Sequence, residues 1–338
     1  MANRYNHTTS NSELVSAFSE RIKGSTVLVT GVTPPGLGYR FLKEIAVADP
    51  ATLIFAGRKA SKFQAAMDEV RAAKPAITVK YIEIDLASFK SVRAAAEVVN
   101  GWEDVPHIDV LVNNAGIMAT PFRLTEDGVE DHFQSNHLGH FLFTNLIMDK
   151  LLASSRPRIV SVSSNGTRFG GIRWTDINFG NGKNYKVWDA YGQSKTANNL
   201  FAIGLAQRLG SRGLYAFSLH PGMVNGTNLI QGTYAPPEQF LADLQRTEEE
   251  YGTIFSGSSQ ADAEGESKND DNAVQTHLLT AFSPDLERQE LNGQHFLDAH
   301  LVDPYTGENP AWARDQIDAD RLWTLSEKLV GEKFSYKE

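Results

Sequence analysis

The chain contains no cysteine. Disulfides, thiolate nucleophiles and cysteine-held metal sites are thereby excluded, no metal is called for, and a reducing compartment is indicated. Long apolar runs are missing as well. The first thirty residues, MANRYNHTTSNSELVSAFSERIKGSTVLVT, hold no apolar core of signal-peptide length, and no uninterrupted apolar stretch approaches the ~20 residues that span a bilayer. The expectation is a cytoplasmic protein with no stable membrane anchor. Basic stripes interleaved with aromatics are also absent, so nucleic acid is not an expected partner.

What is present is enough apolar material for a large core: 41% of 338 residues are hydrophobic. The formal charge of −9 is concentrated. Residues 247–271 hold eight acids and one lysine, a net of −7 that leaves −2 for everything else. With its Gly/Ser-rich centre this segment reads as an acidic surface loop, within a region 228–290 expected to form a substrate lid. PPEQFLADLQ, with proline at a helix start, suits a lid helix. Residues 1–19 read as a polar extension ahead of one domain over 20–338.

Along the chain, β-branched runs alternate with amphipathic segments. STVLVTG ends at Gly31, ATLIFAGR at Arg58, ITVKYIEIDL at Leu86, HIDVLVNNAG at Gly116, RIVSVSS at Ser164 and GLYAFSLHPG at Gly222, with a late strand around 293–297. Helices are expected over 62–73, 91–99, 133–152 and 190–209. This alternation specifies an α/β fold with a doubly wound parallel sheet, the Rossmann fold, and a C-terminal substrate lid. Ligands in such sheets bind beyond the carboxyl ends of the strands, so residues there are the candidate site.

Four groups stand at strand ends or helix starts. In TGVTPPGLG, Gly31 permits a tight turn, Gly36 brings backbone close to a diphosphate, and Gly38 allows helix packing. Pro34 and Pro35 donate no amide hydrogen, so the cradle relies on Gly36, Leu37, Gly38 and the Thr33 hydroxyl. Arg58 follows the second strand where an adenosine ribose would lie; with Lys59 or Lys62 it can clamp a 2′-phosphate, favouring NADP over NAD. Asn113, Asn114, Ala115 and Gly116 follow the fourth strand, either as a structural turn or, at Gly116, as a wall without a side chain against the nicotinamide ribose. Tyr191 and Lys195 lie four apart, which on a helix stacks a phenol and an ammonium on one face. A nearby cation favours the phenolate and makes the tyrosine usable as acid and base.

Together with Asn136 in SNHLGHFLFTNLI, Ser164 in IVSVSS and HPGMVNGT, these motifs occur in the order of the short-chain dehydrogenases/reductases, which the chain resembles over about residues 20–230. LTEDGVEDHFQSNHLGHFLFTNLI resembles the retinol-dehydrogenase-like branch, and LWTLSEKLVGEKF the tails of fungal members. The resemblance implies that Tyr191 is the catalytic acid/base and that Lys195 lowers its pKa and holds the nicotinamide ribose. Ser164 would bond the substrate oxygen, and Asn136 would hold a water linking Lys195 to solvent. Ser163 competes with Ser164, since neighbours on a strand face opposite ways. The resemblance also puts Asp85, with Leu86 beside it, at the adenine, Pro221, Gly222 and Val224 at the carboxamide, and Thr227 at the diphosphate. Two departures occur: the glycine turn has one residue more than the common pattern, and Thr227 sits one position late.

An apolar small-molecule substrate is expected near Trp188, with Phe169, Trp174, Tyr234, Phe240 and Phe255 as further candidates. The resulting activity is hydride transfer between NADP(H), or NAD, and an alcohol or carbonyl. Alternatives are a silent nucleotide sensor and an epimerase or dehydratase on the same scaffold. The long helices over 133–152 and 190–209 can pack across the two-fold axis of a homodimer.

Overall fold

The computed structural model describes residues 4–224, 226, 227, 229, 236–253 and 267–336. The apolar runs form strands β1 (Thr26–Thr30), β2 (Thr52–Gly57), β3 (Thr78–Glu83), β4 (Val110–Asn113), β5 (Arg158–Val162) and β6 (Tyr215–His220). A hairpin of β7 (His295–Leu297) and β8 (His300–Leu301) follows, its second strand unexpected from the sequence. The strands form one sheet in the order β3-β2-β1-β4-β5-β6-β7-β8, parallel except for β8. Every residue of β1, β4 and β5 is buried, which is why these strands read as unbroken apolar runs rather than alternating ones. At the edge, β3 buries only Ile82 fully.

Helices cover both faces. Those used below are α1 (Asn11–Ala17), α2 (Leu37–Ala46), α3 (Gln64–Ala73), α4 (Phe89–Asn100), α5 (Gly139–Leu146), α6 (Val187–Leu209), α7 (Pro237–Tyr251), α8 (Gln275–Phe282) and α9 (Gln316–Val330). The strand order turns at β1, whose neighbours β2 and β4 lead in opposite directions, so a crevice opens beyond their carboxyl ends. Among the described residues no helix is long and apolar enough to cross a membrane.

Two expectations change. Residues 4–19 are not a polar extension outside the domain, because Tyr5, Leu14, Val15 and Phe18 are buried in the core with Phe41 and Phe282. Leu14, Val15 and Phe18 fall on one face of a short helix, and the Asn11 amide donates to Asp270 O at 2.8 Å, which ties α1 to the segment before α8. Nor is 133–152 one helix. It runs as Asp131–Phe133, a π-turn over Gln134–Leu138, α5, and a last piece over Met148–Leu152, the π-turn being closed by Gly139 N–H bonding to Gln134 O. The tail packs on both α5 and α6: Trp323 of α9 stands 5.0 Å from Phe141, and a Cβ at Gly204 of α6 would lie 3.1 Å from the Trp323 ring.

Candidate active site

Helix α6 crosses beneath the sheet end with nearly every residue buried, so Tyr191 and Lys195, one turn apart, are only 2% and 4% exposed. The Lys195 ammonium sits 5.6 Å from the Tyr191 ring centroid and donates to Val162 O at 3.1 Å. Burial pushes the phenol up to about 12, with a hydrogen bond from Ser164 drawing it back. Burial also brings the Lys195 ammonium down to about 8. In this state desolvation therefore outweighs the lowering of the phenol that the lysine was expected to provide. The same dry surroundings disfavour the charged form of both groups, though at neutral pH Lys195 keeps its proton.

The strand end decides between the two serines. Ser163 donates from its hydroxyl to Lys195 O at 2.9 Å, a strand-to-helix bond. Ser164 faces the other way, accepts Gly166 N–H at 3.0 Å and reaches the phenol. Glycine at 166 is needed because a Cβ there would lie 2.7 Å from the Tyr191 ring.

Asn136, fully buried on the π-turn, spends its side chain on positioning. Its Oδ1 accepts Ile117 N–H at 2.8 Å, and its Nδ2 donates to Ile117 O at 3.0 Å and to Ser194 Oγ at 2.9 Å. It thus staples the segment after β4 to α6. A Cβ on Gly116 would lie 3.1 Å from Asn136 Oδ1 and 3.4 Å from Lys195 Nζ, so the missing side chain keeps open the space in front of both.

The glycine turn fits an anion. Gly31 adopts φ +73°, and a Cβ there would stand 2.7 Å from Ala115 Cα. Gly36 caps α2 with no side-chain acceptor, which leaves the first amides of the helix, at Leu37 and Gly38, for a phosphate. Thr33 is half-exposed, and its carbonyl accepts Gly36 N–H at 2.9 Å. Arg58, Lys59 and Lys62 stand exposed after β2.

Other expected residues have structural work. Asp85 is exposed and makes a local turn, its Oδ1 accepting Ala87 N–H at 3.1 Å, and Leu86 is buried with its carbonyl against Gly139. The Asn113 side chain donates to Thr144 Oγ1 at 3.0 Å, and Asn114 Nδ2 donates to Thr30 O at 2.7 Å. The NNAG turn is therefore bonded within the protein, with Gly116 rather than Asn113 at the crevice. Pro221 and Val224 are half-buried beyond β6, and Gly222 turns there at φ +83°. Thr227 is half-exposed.

On the substrate side, Trp188, Phe169, Tyr191, Met118 and Leu244 form one apolar cluster, with Phe240 of α7 packed edge-on 5.0 Å from Trp188. Trp174 is elsewhere, under Arg321 at 4.1 Å. Tyr234, Phe255 and most of the centre of 247–271 lie outside the described residues. Two buried pairs were not anticipated. Glu130 and His132, both fully buried, bond at 2.7 Å behind Tyr191, and Lys268 pairs with Asp298 at 2.8 Å beneath the Gly222 turn. The second had a sequence signal, a single lysine in an acidic run.

This arrangement can be compared with known proteins. Residues 25–176 match the family model described as short chain dehydrogenase. Mouse retinol dehydrogenase 12 is 35% identical over 315 residues, covering 92% of this chain and 88% of its own. The chain belongs to the short-chain dehydrogenase family. It is an NAD(P)-dependent oxidoreductase acting on a small-molecule substrate. An uncharacterized oxidoreductase of Schizosaccharomyces pombe is 36% identical over 288 residues, covering 81% of this chain and 77% of that one. A crystal structure of an uncharacterized protein from Mycobacterium paratuberculosis superposes with a TM-score of 0.63 at 30% identity, covering 93% of this chain and 96% of that one.

Proposed function

We propose that this short-chain dehydrogenase transfers hydride between NADP(H) and the alcohol or carbonyl of a fairly apolar small molecule, with Tyr191 as acid and base. The observation that carries the reading is the buried convergence of Ser164, Tyr191 and Lys195 beside the side-chain-free space at Gly116. The residues present fit a dinucleotide. The uncapped start of α2 takes the diphosphate, Arg58 takes the 2′-phosphate that distinguishes NADP from NAD, and Lys195 takes the nicotinamide ribose. When bound, the nicotinamide supplies or accepts the hydride.

The protein's own part is proton transfer and polarisation. In reduction, the Ser164 hydroxyl hydrogen-bonds the carbonyl oxygen while Tyr191 Oη–H gives its proton to the alkoxide as it forms. The phenolate so produced lies beside the Lys195 ammonium, which stabilises it until a proton returns along the Lys195 and Asn136 side of the site. Oxidation reverses each step, with the phenolate taking the alcohol proton. Trp188 and Phe240 exclude water from the reacting oxygen, which sharpens every electrostatic contact there. Helix α7 acts as the lid, its Glu250 paired with Lys186 at 2.7 Å just before the catalytic helix.

Thermal stabilisation by NADPH against NADH tests the cofactor, with NADPH expected to stabilise more at equal concentration. Screening carbonyls that range from apolar to charged, with the preferred reduced cofactor, tests the substrate class. Apolar ketones and aldehydes are expected to lead, and selective turnover of charged, small carbonyls contradicts the reading.

A further inference from the structure

Among the buried titratable groups that the chemistry proposed above does not use is one on α5. His140 on α5 is 2% exposed and stands between the glycine turn and the proton path. Its Nδ1 lies 3.1 Å from the main-chain oxygen of Asn136, one turn back, and its Nε2 lies 2.8 Å from Thr30 Oγ1 at the end of β1. A carbonyl oxygen only accepts, so Nδ1 carries the proton and donates to Asn136. The Thr30 hydroxyl already accepts two amides, Asn114 N–H and Ala115 N–H, both at 3.0 Å, which uses its two acceptor sites. Its one proton is then left for Nε2, which must be bare. Val112 O is a second acceptor for that hydroxyl at 3.5 Å, much longer than the 2.8 Å to Nε2, so the shorter bond takes the proton and the imidazole is neutral in the Nδ1–H form.

We infer that His140 is a positioning residue that ties the strand bearing the dinucleotide turn to the main chain of Asn136. This rests on the hydride-transfer reading above. Its site of action is the π-turn, where the Asn136 side chain is already committed to Ile117 and Ser194. The carbonyl is the remaining polar group of Asn136 that faces the network, and His140 fixes its direction. Moving the Thr30 end therefore moves the NNAG turn, Asn136 and, through Ser194, the Tyr191 carbonyl as one body. Burial, reinforced by the Lys195 charge, brings the imidazole down to about 4, consistent with a ring that stays neutral and serves only to hold geometry.

The test uses the full chain. In 15N-histidine-labelled protein, the His140 signals are assigned by their loss in His140→Phe and read for the nitrogen that bears the proton. An Nδ1–H ring is expected, and an Nε2–H ring overturns the assignment whether or not a substrate has been found. In turnover with NADPH, His140→Phe is expected to lower kcat about tenfold while KM for NADPH stays within about twofold, since the interaction orients the proton path and touches no cofactor atom. His140→Asn, which returns a donor to the Asn136 carbonyl, is expected to recover most of that loss. A His140→Phe protein with lowered Tm and unchanged kcat would show the ring to be core filling and overturn the inference. Failure of the hydride-transfer reading looks different: no carbonyl then supports NADPH oxidation by the wild-type protein, and the imidazole spectrum still decides the network.

Discussion

Tyr191 and Lys195 are 2% and 4% exposed, set among the hydrogen-bonded side chains of Ser163, Ser164 and Asn136; Arg58, Lys59 and Asp85, at the other end of the same crevice, stand in solvent. Both ends come from the same device, residues placed just past parallel strands. Their electrostatics differ because water reaches only one of them. At the buried end, desolvation dominates and shifts the tyrosine up and the lysine down. At the exposed end, a charge is screened until a ligand brings its counter-charge. The buried end is thus organised before substrate arrives, and on the reading proposed above the exposed end selects the cofactor.

The contrast can be broken or sharpened in order of effect. Tyr191→Phe removes the proposed acid/base without changing the ring's packing, and kcat is expected to fall about a thousandfold in steady-state assays. Lys268→Met removes half of an ion pair whose partners are 1% and 2% exposed. Leaving Asp298 buried and alone is expected to cost about 3–5 kcal/mol in chemical denaturation, and Lys268→Met combined with Asp298→Leu is expected to recover much of it. Arg58→Ala acts at the screened end. There KM for NADPH is expected to rise about tenfold with KM for NADH within about twofold, and an equal change for both cofactors would detach Arg58 from the 2′-phosphate.

The smallest effect concerns pH. Lys195, brought down to about 8, loses its charge as pH rises through that value, while the phenol, pushed up to about 12, keeps its proton. Reduction needs the protonated phenol and a cation to stabilise the phenolate it leaves. The rate is therefore expected to be flat between pH about 5 and 7 and to fall a few-fold as pH rises through about 8. A profile that stays flat to pH about 10 would show that the Lys195 charge does not assist.

How far the sequence carries this account depends on range. The strand ends, the glycine turn and the Tyr191–Lys195 spacing are local, and period-2 and period-3.6 reasoning finds them. Strand alternation also separates Ser163 from Ser164 in principle, and the family resemblance picked the second. The π-turn at Asn136 was not legible, since nothing in the local pattern of 131–146 marks it; the close approach of Leu86 to Gly139 at its end comes from another crossover. Lys268 looked like part of a solvated acidic loop, and only the return of Asp298 along β7 and β8 shows it to be buried. Aromatic content suggested a pocket without saying which rings line it: Trp188 reaches Tyr191, whereas Trp174 serves the tail. The buried N-terminal helix was missed because three apolar residues are too few to stand out from a polar stretch.

The division of labour between the two ends can be read from one pair of variants in one instrument. Stopped-flow mixing of NADPH-loaded protein with carbonyl gives the single-turnover rate, and nucleotide fluorescence gives the Kd. Tyr191→Phe is expected to lose the single-turnover rate with NADPH Kd unchanged, and Arg58→Ala to weaken NADPH with the single-turnover rate of saturated enzyme unchanged. A Tyr191→Phe protein that still transfers hydride at the wild-type rate would contradict the account at its centre.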